Sequence, residues 1–152
     1  MKSQLMNKPD NQQELEETYV LIFESGDEVM AELKKFMIEN NVTAARFSAI
    51  GAFSDATLAY FDWEKKEYQN FSINEQMEVL TLTGDVAIKK GKSAIHAHVI
   101  LGFKDGSTKG GHLQKAHVRP TLEVMLEKSP AHLRKSYDEE SGLMLIDLGA
   151  SA

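Results

Sequence analysis

The chain has 152 residues, of which 42% are hydrophobic and 26% charged, a balance suited to one soluble globular domain with its own core. Seventeen Lys and Arg stand against 23 Asp and Glu, a formal net charge of −6. With no basic cluster along the chain, this argues against broad, sequence-independent nucleic-acid binding. The chain contains no cysteine, no apolar run long enough to span a bilayer and no apolar core to its N-terminal segment. Disulfides, thiolate chemistry and a membrane span are thereby excluded, a cytoplasmic location is expected, and any metal must be held by His, Asp or Glu.

Residues 1–16 are polar and amide-rich, without periodicity, and read as a flexible arm before a domain at 17–150. "TYVLIFE" (18–24) is a β-branched and aromatic strand. Ser25 with Glu28 has capping-box form. Val29, Met30, Leu33, Phe36 and Met37 then recur at helical spacing, which predicts an amphipathic helix over 27–39 that packs on a sheet. Residues 44–63 give two strands punctuated by Gly51 and by Ser54-Asp55, and "EKK" turns the chain into "EYQNFSI". "MEVLTLTGDVAIKKGK" is a strand pair or one long bent strand with a bulge at Gly84. A histidine-bearing hairpin follows, then a strand at 119–127, an irregular segment, and a last strand at 143–148. The fold class expected is α+β, a mostly antiparallel sheet with one principal amphipathic helix in a single domain.

Four of the five histidines fall in "IHAHVILGFKDGSTKGGHLQKAH". Strand alternation puts Ile95, Ala97, Val99 and Leu101 on the core face and projects His96 and His98 together from the other. Two adjacent imidazoles can share one ion, since zinc–nitrogen bonds are about 2.0–2.1 Å. A third ligand depends on the turn. A three-residue loop of Lys104-Asp105-Gly106, with Gly106 left-handed, places His98 opposite His112, and all three histidines converge. A two-residue Asp105-Gly106 loop places His112 opposite Val99 on the core side, and a bulge at Gly110-Gly111 would alter either outcome. His117 reads as structural and His132 as a surface residue. Thr121 and Glu123 share a strand face, and Glu78 heads an apolar strand; these three are candidates for a ligand pocket or second layer. Arg46 and Arg119 could meet an anion or pair with acidic neighbours. No nucleophile elbow or Gly-rich phosphate loop is present.

The ordered segments "AIGAFSDATLAYFD", "EVLTLTGDVA", "HAHVILGFKDGSTKGGHL" and "VRPTLEVML" resemble the plant and prokaryote conserved (PPC) domain, from about Tyr19 to Leu148. That resemblance implies an α+β fold, assembly as a homotrimer, and, as in some stand-alone members, a metal on His96, His98 and His112. The plant proteins carry Arg-Gly-Arg-Pro elements that enter the minor groove of DNA; this chain has none. Kinship alone would therefore carry DNA binding.

Three readings follow. The preferred one is a trimer with a three-histidine site for a divalent ion, zinc foremost and iron, nickel or cobalt also suited, serving regulation or small-molecule ligand binding. The second is a DNA-associated regulator or scaffold. The third is a metal-dependent enzyme acting on a small anionic substrate, with Glu78 or Glu123 as base.

Overall fold

The computed structural model describes residues 1–7, 17–130 and 132–151. Strands β1 (Lys2–Asn7) and β2 (Glu17–Glu24) precede helix α1 (Val29–Glu39). Five strands follow: β3 (Ala45–Asp62), β4 (Glu67–Ile73), β5 (Met77–Lys89), β6 (Lys92–Gly102) and β7 (Thr108–Lys128). Short strands β8 (Lys135–Tyr137) and β9 (Met144–Ile146) and the turn of helix α2 (Leu148–Ser151) close the chain. The first seven strands form one antiparallel sheet in the order β1-β2-β7-β6-β5-β3-β4, while β8 and β9 pair separately. Because β3 also pairs with β7, the circuit β3–β5–β6–β7–β3 closes and the sheet curls around its own apolar face.

The two longest strands each join segments that the sequence pattern separates. Residues 45–62 run as one strand, and Gly51 and Ser54-Asp55 mark shifts of register within it rather than its end. Bulges bend a strand and re-aim its side chains without terminating the ladder. Likewise the hairpin arm and the 119–127 segment are one strand of 21 residues, its pairing with β3 jumping from Leu122 to Val118 around Pro120. The bulge expected at Gly84 lies instead at Leu80, where the β5–β6 register slips between Val79 and Thr81. Gly84 stays in unbroken register between Phe47 and Ala97. It is glycine for space: a Cβ there would overlap the Phe47 ring and lie 2.5 Å from the His96 carbonyl oxygen.

Helix α1 buries Val29, Leu33, Phe36 and Met37 against the sheet, with Tyr19 meeting Phe36 edge-on at 5.1 Å between centroids. Burying each such side chain contributes about 1.5–3 kcal/mol, so packing rather than propensity holds this short helix. The Ser25–Glu28 capping box does not form. Gly26, at φ +94°, and the Asp27 turn delay the helix, and Glu28 becomes the cap. Its carboxylate accepts from Met30 N (3.1 Å), Ala31 N (2.8 Å) and, across to β7, Ala116 N (3.3 Å). The Ser25 hydroxyl donates to the Pro120 carbonyl instead.

At the N-terminus, where the sequence shows no periodicity, the backbone of Lys2–Asn7 pairs with β2. A sheet edge needs only backbone donors and acceptors, so polarity is no bar to pairing there. Residues 8–16, the rest of the segment read as an arm, lie outside the described residues. At the other end, Ile88 N donates to the Leu133 carbonyl at 2.7 Å and ties the β8–β9 segment to β5. Among the described residues no helix is long and apolar enough to cross a membrane.

Candidate metal centre

The turn between β6 and β7 decides whether the histidines meet. Gly106 N donates to the Phe103 carbonyl at 2.9 Å, Phe103 N donates to the Ser107 carbonyl at 3.0 Å, and Gly106 sits at φ +81°. The Asp105 carboxylate steadies the loop by accepting from Ser107 N and Oγ. This is the three-residue loop, and from it the ladder pairs Gly102 with Thr108 and His98 with His112. His98 and His112 therefore project from the same face as His96, while Ala97, Val99 and Leu101 enter the core.

The three rings form a compact group. Centroids are 5.0 Å apart for His96 and His98, 5.1 Å for His96 and His112, and 5.5 Å for His98 and His112. One nitrogen from each lies within 4.8 Å of the others. His112 stacks on His96 at 30°, and Tyr68 tilts over it at 4.8 Å. Asp85, directly across the β5–β6 ladder from His96, places Oδ2 at 3.2 Å from His96 Nδ1. Lys135 of β8 sits 3.4 Å from Asp85 Oδ1, near enough for an ion pair but too poorly aligned to satisfy that oxygen by a hydrogen bond.

These surroundings disfavour protonation of His98 and His112. Burial, reinforced by the charges of His96, His98 and Lys135, pushes the His112 pKa down to about 4. Burial and then His96 also lower His98, against a smaller opposing pull from Asp85. At Asp85, burial opposes ionisation, but the His96 hydrogen bond and the nearby positive charge of Lys135 prevail and hold the carboxyl below its ordinary value.

The donor set fits a divalent ion. Neutral imidazole is the ligand form, and His112 Nδ1 is buried without any hydrogen-bond partner, an uncompensated polar atom that an ion would satisfy. Tetrahedral coordination at about 2.0–2.1 Å asks for nitrogens about 3.4 Å apart. The observed 4.8 Å limit needs only small ring rotations to reach that spacing. Asp85, accepting from His96 Nδ1–H, would fix the tautomer that frees Nε2. Asp85→Asn is accordingly expected to lower metal affinity about 10–100-fold, measured by competition with a chelating dye.

Two clefts reach the cluster. The larger, about 380 Å³, touches His96 and His112 and is walled by Tyr68, Lys89, Lys135 and the Leu143–Ile146 segment. A smaller one runs past Thr83, Asp85, His96 and His98.

The other residues singled out by sequence lie elsewhere. Thr121 Oγ1 donates to the Phe23 carbonyl at 3.1 Å, and Glu123 pairs across from Ile22 and Ile50. Glu78 lines a separate depression beside Phe103. None of the three borders either cleft at the histidines. His117 bonds Asp55 at 2.8 Å, His132 bonds the Thr43 hydroxyl at 2.7 Å, and Arg46 pairs with Glu127. Asp85, Tyr68 and Lys135 are the site neighbours that the sequence reading passed over.

A largely antiparallel sheet with one main helix, displaying three convergent imidazoles on its outer face, defines a small β-rich domain with a metal-competent site. The chain belongs to the Plants and Prokaryotes Conserved (PCC) domain family, whose model matches residues 11–130. A metal-containing protein from Archaeoglobus fulgidus is 37% identical, with TM-score 0.81, the alignment covering 86% of this chain and 92% of that one. A plant- and prokaryote-conserved protein from Pyrococcus horikoshii is 30% identical, with TM-score 0.81 and coverage of 86% and 90%. A candidate DNA-binding protein from Bacteroides thetaiotaomicron is 26% identical, with TM-score 0.84 and coverage of 87% and 92%. Among curated proteins no sequence matches the chain.

Proposed function

We propose that this is a cytoplasmic PPC-domain protein that assembles as a homotrimer and holds a divalent ion, zinc foremost, on His96, His98 and His112 for regulation or ligand binding. The observation that carries the reading is the convergence of three imidazoles, one of which, His112, carries a buried nitrogen without a hydrogen-bond partner. The metal-containing relative from Archaeoglobus fulgidus supports it. Three protein ligands leave one coordination position for water or a small ligand. When bound, the ion would supply a Lewis-acidic point of attachment; Asp85 orients His96, and the tilted Tyr68 ring and stacked His96 ring hold His112. Glu78 and Glu123 lie away from both clefts, and Asp85, the carboxylate that lines them, is engaged by His96 and Lys135, so binding is favoured over catalysis. Metal analysis of untagged protein tests the reading: one ion per chain is expected, and its absence after titration with zinc and cobalt would sink it.

Assembly rests on an exposed apolar row. Met125 of β7, Ile50 of β3, Leu80 of β5 and Ile100 of β6 lie on four successive strands, with exposures of 49%, 61%, 52% and 46%. Large apolar side chains exposed on adjoining strands of one face are the kind of surface that protein covers. Light scattering is expected to give three chain masses for the native protein. Ile50→Lys is expected to yield monomer, because three charges would be brought into one interface.

The Bacteroides relative favours a second reading, DNA binding through an assembled surface. A mobility-shift series across salt concentrations decides it, and no shift even at low salt removes it.

A further inference from the structure

We propose that the β8–β9 hairpin is a lid over the histidine cluster, latched by the Lys135–Asp85 ion pair, and that ion exchange takes place when this hairpin swings away. The proposal rests on the metal reading above and names a control on that same site.

The hairpin is placed to cover. Lys135 of β8, with Leu143, Met144, Leu145 and Ile146 on and beside β9, walls the larger cleft that reaches His96 and His112. The smaller cleft opens beside His98, on the strand face that carries Ile100 and that the reading above assigns to assembly. With that face covered, the way to the imidazoles runs past the hairpin.

The hairpin is also built to move as one piece. β8 and β9 form a ladder with each other and with no strand of the main sheet. At the tip, the Asp138 carboxylate accepts from Ser141 N and Oγ, while Asp138 N and Gly142 N donate to the Leu143 and Asp138 carbonyls. At the base, Ile88 N donates to the Leu133 carbonyl and Asp147 N to the Arg134 carbonyl, which fixes a pivot. Beyond that pivot the polar attachments are few. Lys66 Nζ donates to the Glu139 carbonyl at 3.4 Å, and Lys135 Nζ lies 3.4 Å from Asp85 Oδ1. Among the described residues, none after Leu126 joins the buried apolar core. A segment with so few buried apolar contacts opens at a fraction of the global stability.

The latch sits at the site itself. The Lys135 side chain is only 9% exposed, and its partner Asp85 is the carboxylate that also accepts from His96. Closure of the hairpin is thereby tied to the residue that orients a metal ligand.

The chain has no cysteine, and a Cβ at Gly142 would lie 3.9 Å from Lys66 Cβ, within the span of a disulfide. The full chain carrying Lys66→Cys and Gly142→Cys therefore has a lid that oxidation locks and reduction frees. Each form is loaded with cobalt(II), its stoichiometry is read first, and release to excess EDTA is then followed by the visible spectrum. The oxidised form is expected to release cobalt at least about tenfold more slowly than the same protein reduced, because the open minor state is removed. The reduced form should release at least as fast as the native chain. Lys135→Met keeps the stem without the ammonium and is expected to speed release about fivefold, the weight of a partly exposed ion pair. A lysine acting only through its charge on the ion gives the opposite sign, since its removal would tighten binding and slow release. Equal release from the oxidised and reduced forms, or unchanged or slower release from Lys135→Met, overturns the lid and leaves the metal reading standing. A cysteine pair that does not oxidise contradicts the closed position and overturns it too. Failure of the native chain to bind cobalt overturns the metal reading, and this proposal with it.

Discussion

Protein carrying His98→Ala is expected to lose stoichiometric binding of zinc and cobalt, while His132→Ala binds as the native chain does. His98 is the ligand most open to solvent and makes no structural hydrogen bond that is evident at its ring, so its removal should leave the fold near-neutral in stability. His132 lies outside the cluster and bonds Thr43, which makes it the matched control for losing one imidazole. The measurement is metal analysis after equilibrium dialysis, with circular dichroism to confirm folding. Retained stoichiometry in His98→Ala would show that the triad is not the site. Burial lowers both His98 and His112, the latter to about 4, so protons compete less with an ion at these two rings. For the metal-free fold the sign is set by the same shift. A histidine that resists protonation when folded lets the unfolded chain take up more protons, so stability falls as pH drops from 6.5 toward 4.

Gly51→Ala should cost at least about 3 kcal/mol, or prevent folding outright. Gly51 sits at φ +154°, and a Cβ there would overlap the Thr121 carbonyl oxygen and lie 2.7 Å from Leu122 Cα. Both obstacles are backbone, and the residue is paired on both sides, to Val79 of β5 and Leu122 of β7. Relief would mean opening the point where β3 closes the sheet circuit. Gly106→Ala offers the contrast: φ is +81° but nothing lies within 4 Å of the added carbon. It should cost only the left-handed backbone penalty of about 1–2 kcal/mol. Urea midpoints of the two variants separate steric from conformational cost, and comparable losses would contradict the close-approach account.

The histidine site was legible because its determinants are local. Strand alternation paired His96 with His98, and loop length set the partner of His98, which the Phe103–Ser107 and Gly106–Phe103 hydrogen bonds resolve in favour of His112. Asp85 could have been found by the same counting. The Lys90-Gly91 turn has both residues at positive φ, the form of a two-residue hairpin, and it places Asp85 opposite His96. Tyr68 and Lys135 could not, because β4 reaches the site through the β3–β7 closure of the sheet and β8 through a separate contact with β5 at Ile88, neither set by a neighbouring turn. Strand ends were misread for a related reason. Gly51, Ser54 and Pro120 are local breakers, yet pairing on both flanks carries β3 and β7 through them. Glu78, Thr121 and Glu123 were singled out for chemical type and place on their own strands, and neither reports position around a curled sheet.

His98 and His112 stand where the backbone is paired on either side, β6 between β5 and β7 and β7 between β6 and β3, while His96 is anchored on β5 opposite Asp85. The buried core beneath them is continuous and owes nothing to an ion. A metal here would be a guest on a finished frame, unlike a finger domain that collapses when its zinc is withdrawn. Chelation should leave a folded, receptive protein, so occupancy can rise and fall with the supply of metal in the cell without the molecule being made or destroyed each time.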